Sequence, residues 1–184
     1  MDPTGTRYLV VDYVNYRLNN NGVQWGQCPS LLPQPLEVHL TLRDKGNELE
    51  ARYKAVFQRR IDDLHITENT AYPVFRTVVD EIFNGGINWG RIVALFSFGG
   101  SLATACMKKD LPQLIDSIIE WITIYIDENL SAWIQSHGGW QGFVEYYNQA
   151  QNHNDNQWNL GEFVRYGAIG VVGALALGAL LQRV

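Results

Sequence analysis

The chain has 184 residues, 46% of them apolar, and its 14 lysines and arginines against 19 aspartates and glutamates leave a formal net charge of -5. That length is enough for one domain with a real core, and an acidic balance without a basic face excludes a general nucleic-acid binder. Two cysteines, Cys28 in a proline-rich stretch and Cys106 late in an apolar run, give neither a disulfide framework nor metal-ligand spacing, which fits a reducing, intracellular setting. Met1 to Arg7 lacks the apolar run of a secretory signal, so the sequon Asn129-Leu130-Ser131 reads as a helix end rather than a glycan site.

From the N-terminus, Leu9, Val10, Tyr13, Val14 and Leu18 share a face between Thr6 and Asn19, while Asp12, Asn15 and Arg17 fall elsewhere. This spacing predicts an amphipathic helix, stopped by Asn19-Asn20-Asn21-Gly22 and followed by a broken-backbone loop from Cys28-Pro29 to Gln34-Pro35. A second helix is expected from about Leu36 to Arg60, with Val38, Leu42, Leu49, Tyr53, Val56 and Phe57 on one stripe and an interruption at Gly46. Ile66-Thr67 opens a loop, and Ala71 to Phe83 forms a third amphipathic stretch that ends at Asn84-Gly85-Gly86.

From Ile92 to Met107 nearly every side is apolar, the pattern of a helix buried among others or crossing a membrane. Arg91 near its start and Gly99-Gly100 in its middle favour the buried helix. Leu111 to Asn129, with Ile115, Ile118, Ile119, Trp121, Ile122, Tyr125 and Ile126, is a second long apolar helix expected beside it. Short helices around Ser131 to Ser136 and Trp140 to Asn148 complete an all-α bundle of about eight helices, two of them central and apolar. The expected organisation is a helical domain over 1–148, a polar linker over 149–162 and a C-terminal membrane anchor over 163–184.

The anchor rests on the uncharged run Tyr166 to Leu181 between Arg165 and Arg183. At ~1.5 Å per residue it reaches roughly 24 Å, short of the ~30 Å of an average bilayer core, so a thin membrane or snorkelling arginines are needed. Gly170, Ala174 and Gly178 fall four apart and form a small-residue stripe. The alternative is a tail that folds back onto the soluble domain.

No catalytic constellation emerges: His39, His65, His137 and His153 are scattered without ligand spacing or a nucleophile motif. Gly85-Gly86 and Gly99-Gly100 neither follow a strand nor precede the lysine of a phosphate loop. The expectation is therefore a protein without enzymatic activity, cofactor or metal. Asn88-Trp89-Gly90-Arg91 is the informative run: Asn88 caps the buried helix, Gly90 admits close approach, and Arg91 sits at the positive end of the macrodipole, where an acidic partner is wanted. That partner is either an internal carboxylate, Asp80 or Glu81, or one brought by a ligand; simple solvation is the third possibility. Trp89 and Trp140 read as core anchors.

Val79 to Ala103, centred on Asn88-Trp89-Gly90-Arg91, resembles the first homology region of the B-cell lymphoma two (Bcl-two) family of apoptosis regulators. Trp133-Ile134-Gln135-Ser136-His137-Gly138-Gly139-Trp140 resembles its second region, in the right order and at the right separation. Leu42-Arg43-Asp44-Lys45-Gly46-Asn47-Glu48-Leu49 is similar to the third, with Asn47 in place of the usual aspartate and Lys45 in place of an apolar anchor. Leu9 to Leu18 looks like the fourth. The resemblance runs from about Thr6 to the C-terminus.

The resemblance implies a hydrophobic groove, bounded by the second to fifth helices, that accepts an amphipathic helix. Arg91 would pair with the ligand's aspartate, and Asn88 and Gly90 would shape the rim. Leu49, Tyr53, Val56, Phe57, Val78, Ile82, Ala94, Phe98 and Tyr147 would form the wall, although any one of these alone is more often core. With the third region altered at Lys45 and Asn47, that helix suits a wall of its own groove better than a ligand.

The implied function is anti-apoptotic: sequestering the death-motif helices of pro-apoptotic and executioner family members and so restraining permeabilisation of the outer mitochondrial membrane. The anchor residues Tyr166, Gly170, Ala174, Gly178 and Leu181 would hold the otherwise cytoplasmic protein at that membrane or at the endoplasmic reticulum. A pore-forming executioner of the same fold is one alternative, and an unrelated membrane-tethered helical scaffold is another.

Overall fold

The computed structural model describes residues 2–62 and 66–152, and the side chains of all of these except 53–62 and 150–152. The linker and anchor readings, with Tyr166, Gly170, Ala174, Gly178 and Leu181, lie outside the described residues, as do the side chains of Tyr53, Val56 and Phe57. Among the described residues the chain is all helical: α1 (Thr6–Asn20), α2 (Glu37–Asp62), α3 (Ala71–Phe83), α4 (Trp89–Lys108), α5 (Leu114–Tyr125), a π-helical turn (Ile126–Leu130), α6 (Ser131–Ser136) and α7 (Gly139–Asn152).

The apolar run after Arg91 becomes α4, which is buried on every side from Ile92 to Gly100. It is the one described helix long and apolar enough to cross a membrane, yet α1, α2, α3 and α5 pack around it and fill that role with protein. The second apolar helix departs from expectation. α5 buries Leu114, Ile115, Ile118, Ile119 and Ile122 but leaves Asp116, Glu120 and Ile124 exposed, so it flanks α4 instead of sharing the centre. Its burial is one stripe, because only α1 and α4 lie against it as packed helices, while α3 meets it through aromatic pairs such as Tyr72 on Trp121.

α1 is more deeply lodged than its polar positions suggest. Tyr8 to Val14 are all buried, Asp12 among them. Asp12 is tolerated inside because Arg43 on α2 donates to it twice, from Nε at 3.1 Å and Nη2 at 2.6 Å, and a buried charge needs such a partner. α1 ends as read: Gly22 adopts φ 71 while the Val23 amide donates back to the Leu18 carbonyl at 2.9 Å, which closes the helix with a left-handed residue. At the end of α4, Asp110 takes the same role at φ 60, with the Leu111 amide on Cys106 O.

The expected interruption at Gly46 does not occur; α2 is continuous through it. Gly46 is instead a point of close approach between α1 and α2, since a Cβ there would meet the ring of Tyr13 at 2.8 Å from Cζ. Helix hydrogen bonds on either side hold the backbone, so the missing side chain is used for close packing rather than for bending.

Candidate functional site

Asn88 does cap α4: its backbone is extended, and its Oδ1 accepts from the Arg91 amide at 2.8 Å. This cap fixes the first turn and therefore where the Arg91 side chain begins. That side chain is only 5% exposed. Nη1 donates to the Gly86 carbonyl at 2.6 Å, and Nε is buried without any hydrogen-bond partner. Burial pulls the guanidinium below its usual pKa, yet a group that starts from such a high value stays cationic.

Neither internal carboxylate meets Arg91. Asp80 pairs with Arg76 on its own helix at 3.3 Å, and among the described residues Arg91 makes no ion pair at all. A buried cation facing a single neutral carbonyl, at the positive end of a helix, is a site short of one negative charge.

Six of the nine residues expected to form the wall have described side chains. Leu49 from α2, Val78 and Ile82 from α3, Ala94 and Phe98 from α4, and Tyr147 from α7 belong to one connected apolar core, and all six are buried. Four helices, α2, α3, α4 and α7, supply these six. Gly90 is half-buried beside Arg91. Trp89 and Trp140 serve as anchors, Trp89 edge-on to Trp133 at 4.9 Å and Trp140 edge-on to Phe96 at 6.0 Å, which knits the two motif blocks together.

Lys45 is not the solvent-facing residue that its type suggests. It is 3% exposed, with its ammonium 2.7 Å from Glu48, 3.3 Å from Asp44 and 5.5 Å above the Tyr147 ring. Burial pushes the Tyr147 phenol well above its usual range, so it stays neutral beneath that cation. Asn47 is likewise engaged internally, its Nδ2 donating to the Tyr16 hydroxyl at 2.6 Å and its Oδ1 accepting from Arg17 at 3.2 Å.

Arg17 also pairs with Glu50, whose carboxyl is pushed up to about 7, first by burial, with Arg17 pulling the other way. Glu50 Oε1 and Arg17 Nε are buried without partners, the mark of an incompletely satisfied ion pair. Within the third-region stretch, Arg43 and Asn47 thus face α1 and Lys45 faces α7, while Asp44 and Glu48 stay exposed.

A cavity of about 690 Å³ opens elsewhere, between the N-terminal segment, the start of α2 and the start of α7, with Thr4, Leu36, Val38, Trp140 and Val144 among its lining. It shares no residue with the wall or with Arg91. Sequence reasoning missed three features of the site: the contact of Gly86 with Arg91, the burial of Lys45 and the Arg17–Glu50 pair. The last two left no signal in the sequence, because α2 carries charge along its whole length.

A profile described as "Apoptosis regulator proteins, Bcl-2 family" matches residues 42–140. The chain is 35% identical to Bcl-2-like protein 1 of Gallus gallus over 98% of its own length and 99% of that protein's. It is 32% identical to Bcl-2-like protein 1 of Homo sapiens, covering 96% of this chain and 97% of that one. Among solved structures, Trichoplax adhaerens trBcl-2L2 bound to trBak BH3 superposes with a TM-score of 0.70 at 36% identity, over 77% of this chain and 96% of that chain.

Proposed function

Because this chain belongs to the Bcl-2 family of apoptosis regulators, we propose that it is a survival member that binds the amphipathic third-region helices of pro-apoptotic relatives along the α2–α3–α4–α7 wall. The carrying observation is Arg91, a buried guanidinium with no carboxylate partner among the described residues, beside a contiguous apolar wall. An incoming helix with apolar residues at i, i+3 or i+4 and i+7 and one aspartate supplies both missing components. A similar protein bound to a BH3 segment supports the same mode of recognition.

The wall residues are covered in this state, so binding includes their uncovering. The survival assignment draws on the engagement of the chain's own third-region polar groups by α1 and on the regular fourth-region-like helix. The C-terminal run 163–184 would tether the protein to the mitochondrial outer membrane or the endoplasmic reticulum, where sequestering death-motif helices restrains permeabilisation.

The test is titration with a death-motif peptide by fluorescence anisotropy, followed by liposome release in the presence of an executioner. Arg91→Ala should lose about 2 kcal/mol, roughly thirtyfold in affinity, with the helical circular dichroism unchanged. Unaltered affinity removes Arg91 from the site. Liposome release by this protein itself once peptide is added assigns it to the executioners instead.

A further inference from the structure

Arg91 is already occupied by its own chain. Its Nη1 donates to Gly86 O at 2.6 Å. The backbone of Gly85 lies directly against the guanidinium, so that a Cβ on Gly85 would stand 2.8 Å from Nη1 and 2.9 Å from Cζ. Gly86 adopts φ 97, a conformation that glycine takes without strain and that aims its carbonyl back at the start of α4. Asn88, two residues on, fixes the helix end from which Arg91 reaches back.

We infer that the Gly85-Gly86 turn is a holster for Arg91: it holds the guanidinium on a backbone carbonyl in the ligand-free protein, competes with the ligand's carboxylate, and so sets how strongly an aspartate-bearing helix is preferred over one without it. The inference rests on the binding reading above and deepens it. A neutral carbonyl is the weaker acceptor for a guanidinium, and a carboxylate makes shorter, stronger and often paired hydrogen bonds with it. Exchange of one for the other is therefore downhill, and the released Gly86 carbonyl lies on an exposed residue where water replaces the lost donor. A helix without the aspartate leaves Arg91 in its holster and gains nothing from it. Gly85 and Gly86 are thus positioning residues acting through Arg91. They separate ligands by one charge rather than by apolar fit.

Gly85→Ala is the informative variant, because its backbone lies outside the left-handed region while its new methyl takes the guanidinium's place. With the full-length protein, the dissociation constants of a death-motif peptide and of its aspartate-to-asparagine version are measured for parent and variant. The asparagine-to-aspartate ratio should rise about tenfold in Gly85→Ala, the scale of one charged hydrogen bond. A ratio equal to or below the parent's, with both peptides still bound, overturns the holster and leaves the binding reading standing. Failure of the parent to bind either peptide overturns both.

A second measurement needs neither ligand nor a change at Gly85: the Arg91 Nε–H signal of the ligand-free parent in nitrogen-15 spectra, assigned by its loss in Arg91→Ala. Slow solvent exchange and hindered guanidinium rotation are expected. A fast-exchanging, freely rotating Arg91 overturns the holster.

Discussion

Replacing Gly46 by alanine sets two physical effects against each other in one residue. Helix propensity alone gains roughly 1 kcal/mol from Gly→Ala in a helix interior, and Gly46 is interior to α2. Packing works the other way. The new Cβ would lie 2.8 Å from Tyr13 Cζ and 3.0 Å from Cε2, with the hydroxyl nearer still.

Tyr13 has nowhere to retreat. It is 1% exposed, its ring is edge-on to Phe96 at 5.6 Å, and its hydroxyl shares a 3.1 Å hydrogen bond with the buried Ser97 on α4. Overpacking costs about 1–3 kcal/mol, and breaking the Ser97 bond adds about 1 kcal/mol. After the propensity gain is subtracted, Gly46→Ala should destabilise by roughly 1–3 kcal/mol. Urea unfolding followed by far-ultraviolet circular dichroism reads this directly. In a Tyr13→Phe background the closest atom is gone, and the cost of Gly46→Ala should fall by about 1 kcal/mol, a coupling that a double-mutant cycle isolates. A neutral or stabilising Gly46→Ala, or a cost indifferent to Tyr13→Phe, refutes the close contact between α1 and α2.

Glu50 makes stability depend on pH. Its folded pKa of about 7 stands above the 4.5 of a free glutamate, so the folded state holds the proton more tightly. The associated stability is complete below about pH 4.5 and is lost as pH rises through 7, by up to about 3 kcal/mol. Glu50→Gln should flatten that slope in urea titrations between pH 5 and 8, to be judged against roughly this span; an unchanged slope denies the buried carboxyl. Asn88→Ala, which leaves the Arg91 amide without its cap, should cost about 1 kcal/mol in thermal unfolding. Deleting 163–184 should move the protein from the pellet to the supernatant of a mitochondrial fractionation, and a truncated chain that still pellets refutes the anchor.

What was legible in the sequence depended on whether one helix could announce itself. α1, α3 and α4 were readable because apolar spacing or an unbroken apolar run persists over several turns, and their stops carry glycine, asparagine or charge next to the last helical residue. The motif around Arg91 was readable for a related reason. The capping asparagine and the Arg91 amide that it accepts from lie within one turn, so the cap follows from local geometry. What stayed hidden was set by partners far away along the chain. Asp12 counts as polar until Arg43 arrives from α2, and Gly46 counts as a breaker until Tyr13 fills the space beside it. Lys45 reads only as a departure from an apolar anchor until Tyr147 comes across from α7.

These long-range contacts have a common consequence for how α2 is used. A helix that resembles a death motif is defined by the face it presents, and here α1 takes Arg43, Asn47 and Glu50 while α7 takes Lys45. To act as a ligand, α2 would have to leave a bidentate ion pair, a second ion pair, a hydrogen-bonded asparagine and the glycine-to-tyrosine contact together, each contributing of order 1 kcal/mol or more. The proposed wall draws on other side chains, Leu49 of α2 with Val78, Ile82, Ala94 and Phe98 of α3 and α4. A strong internal seam on one side of α2 therefore argues against its release as a ligand and, under the proposed function, leaves it the part of a wall, the asymmetry a receptor for such helices needs.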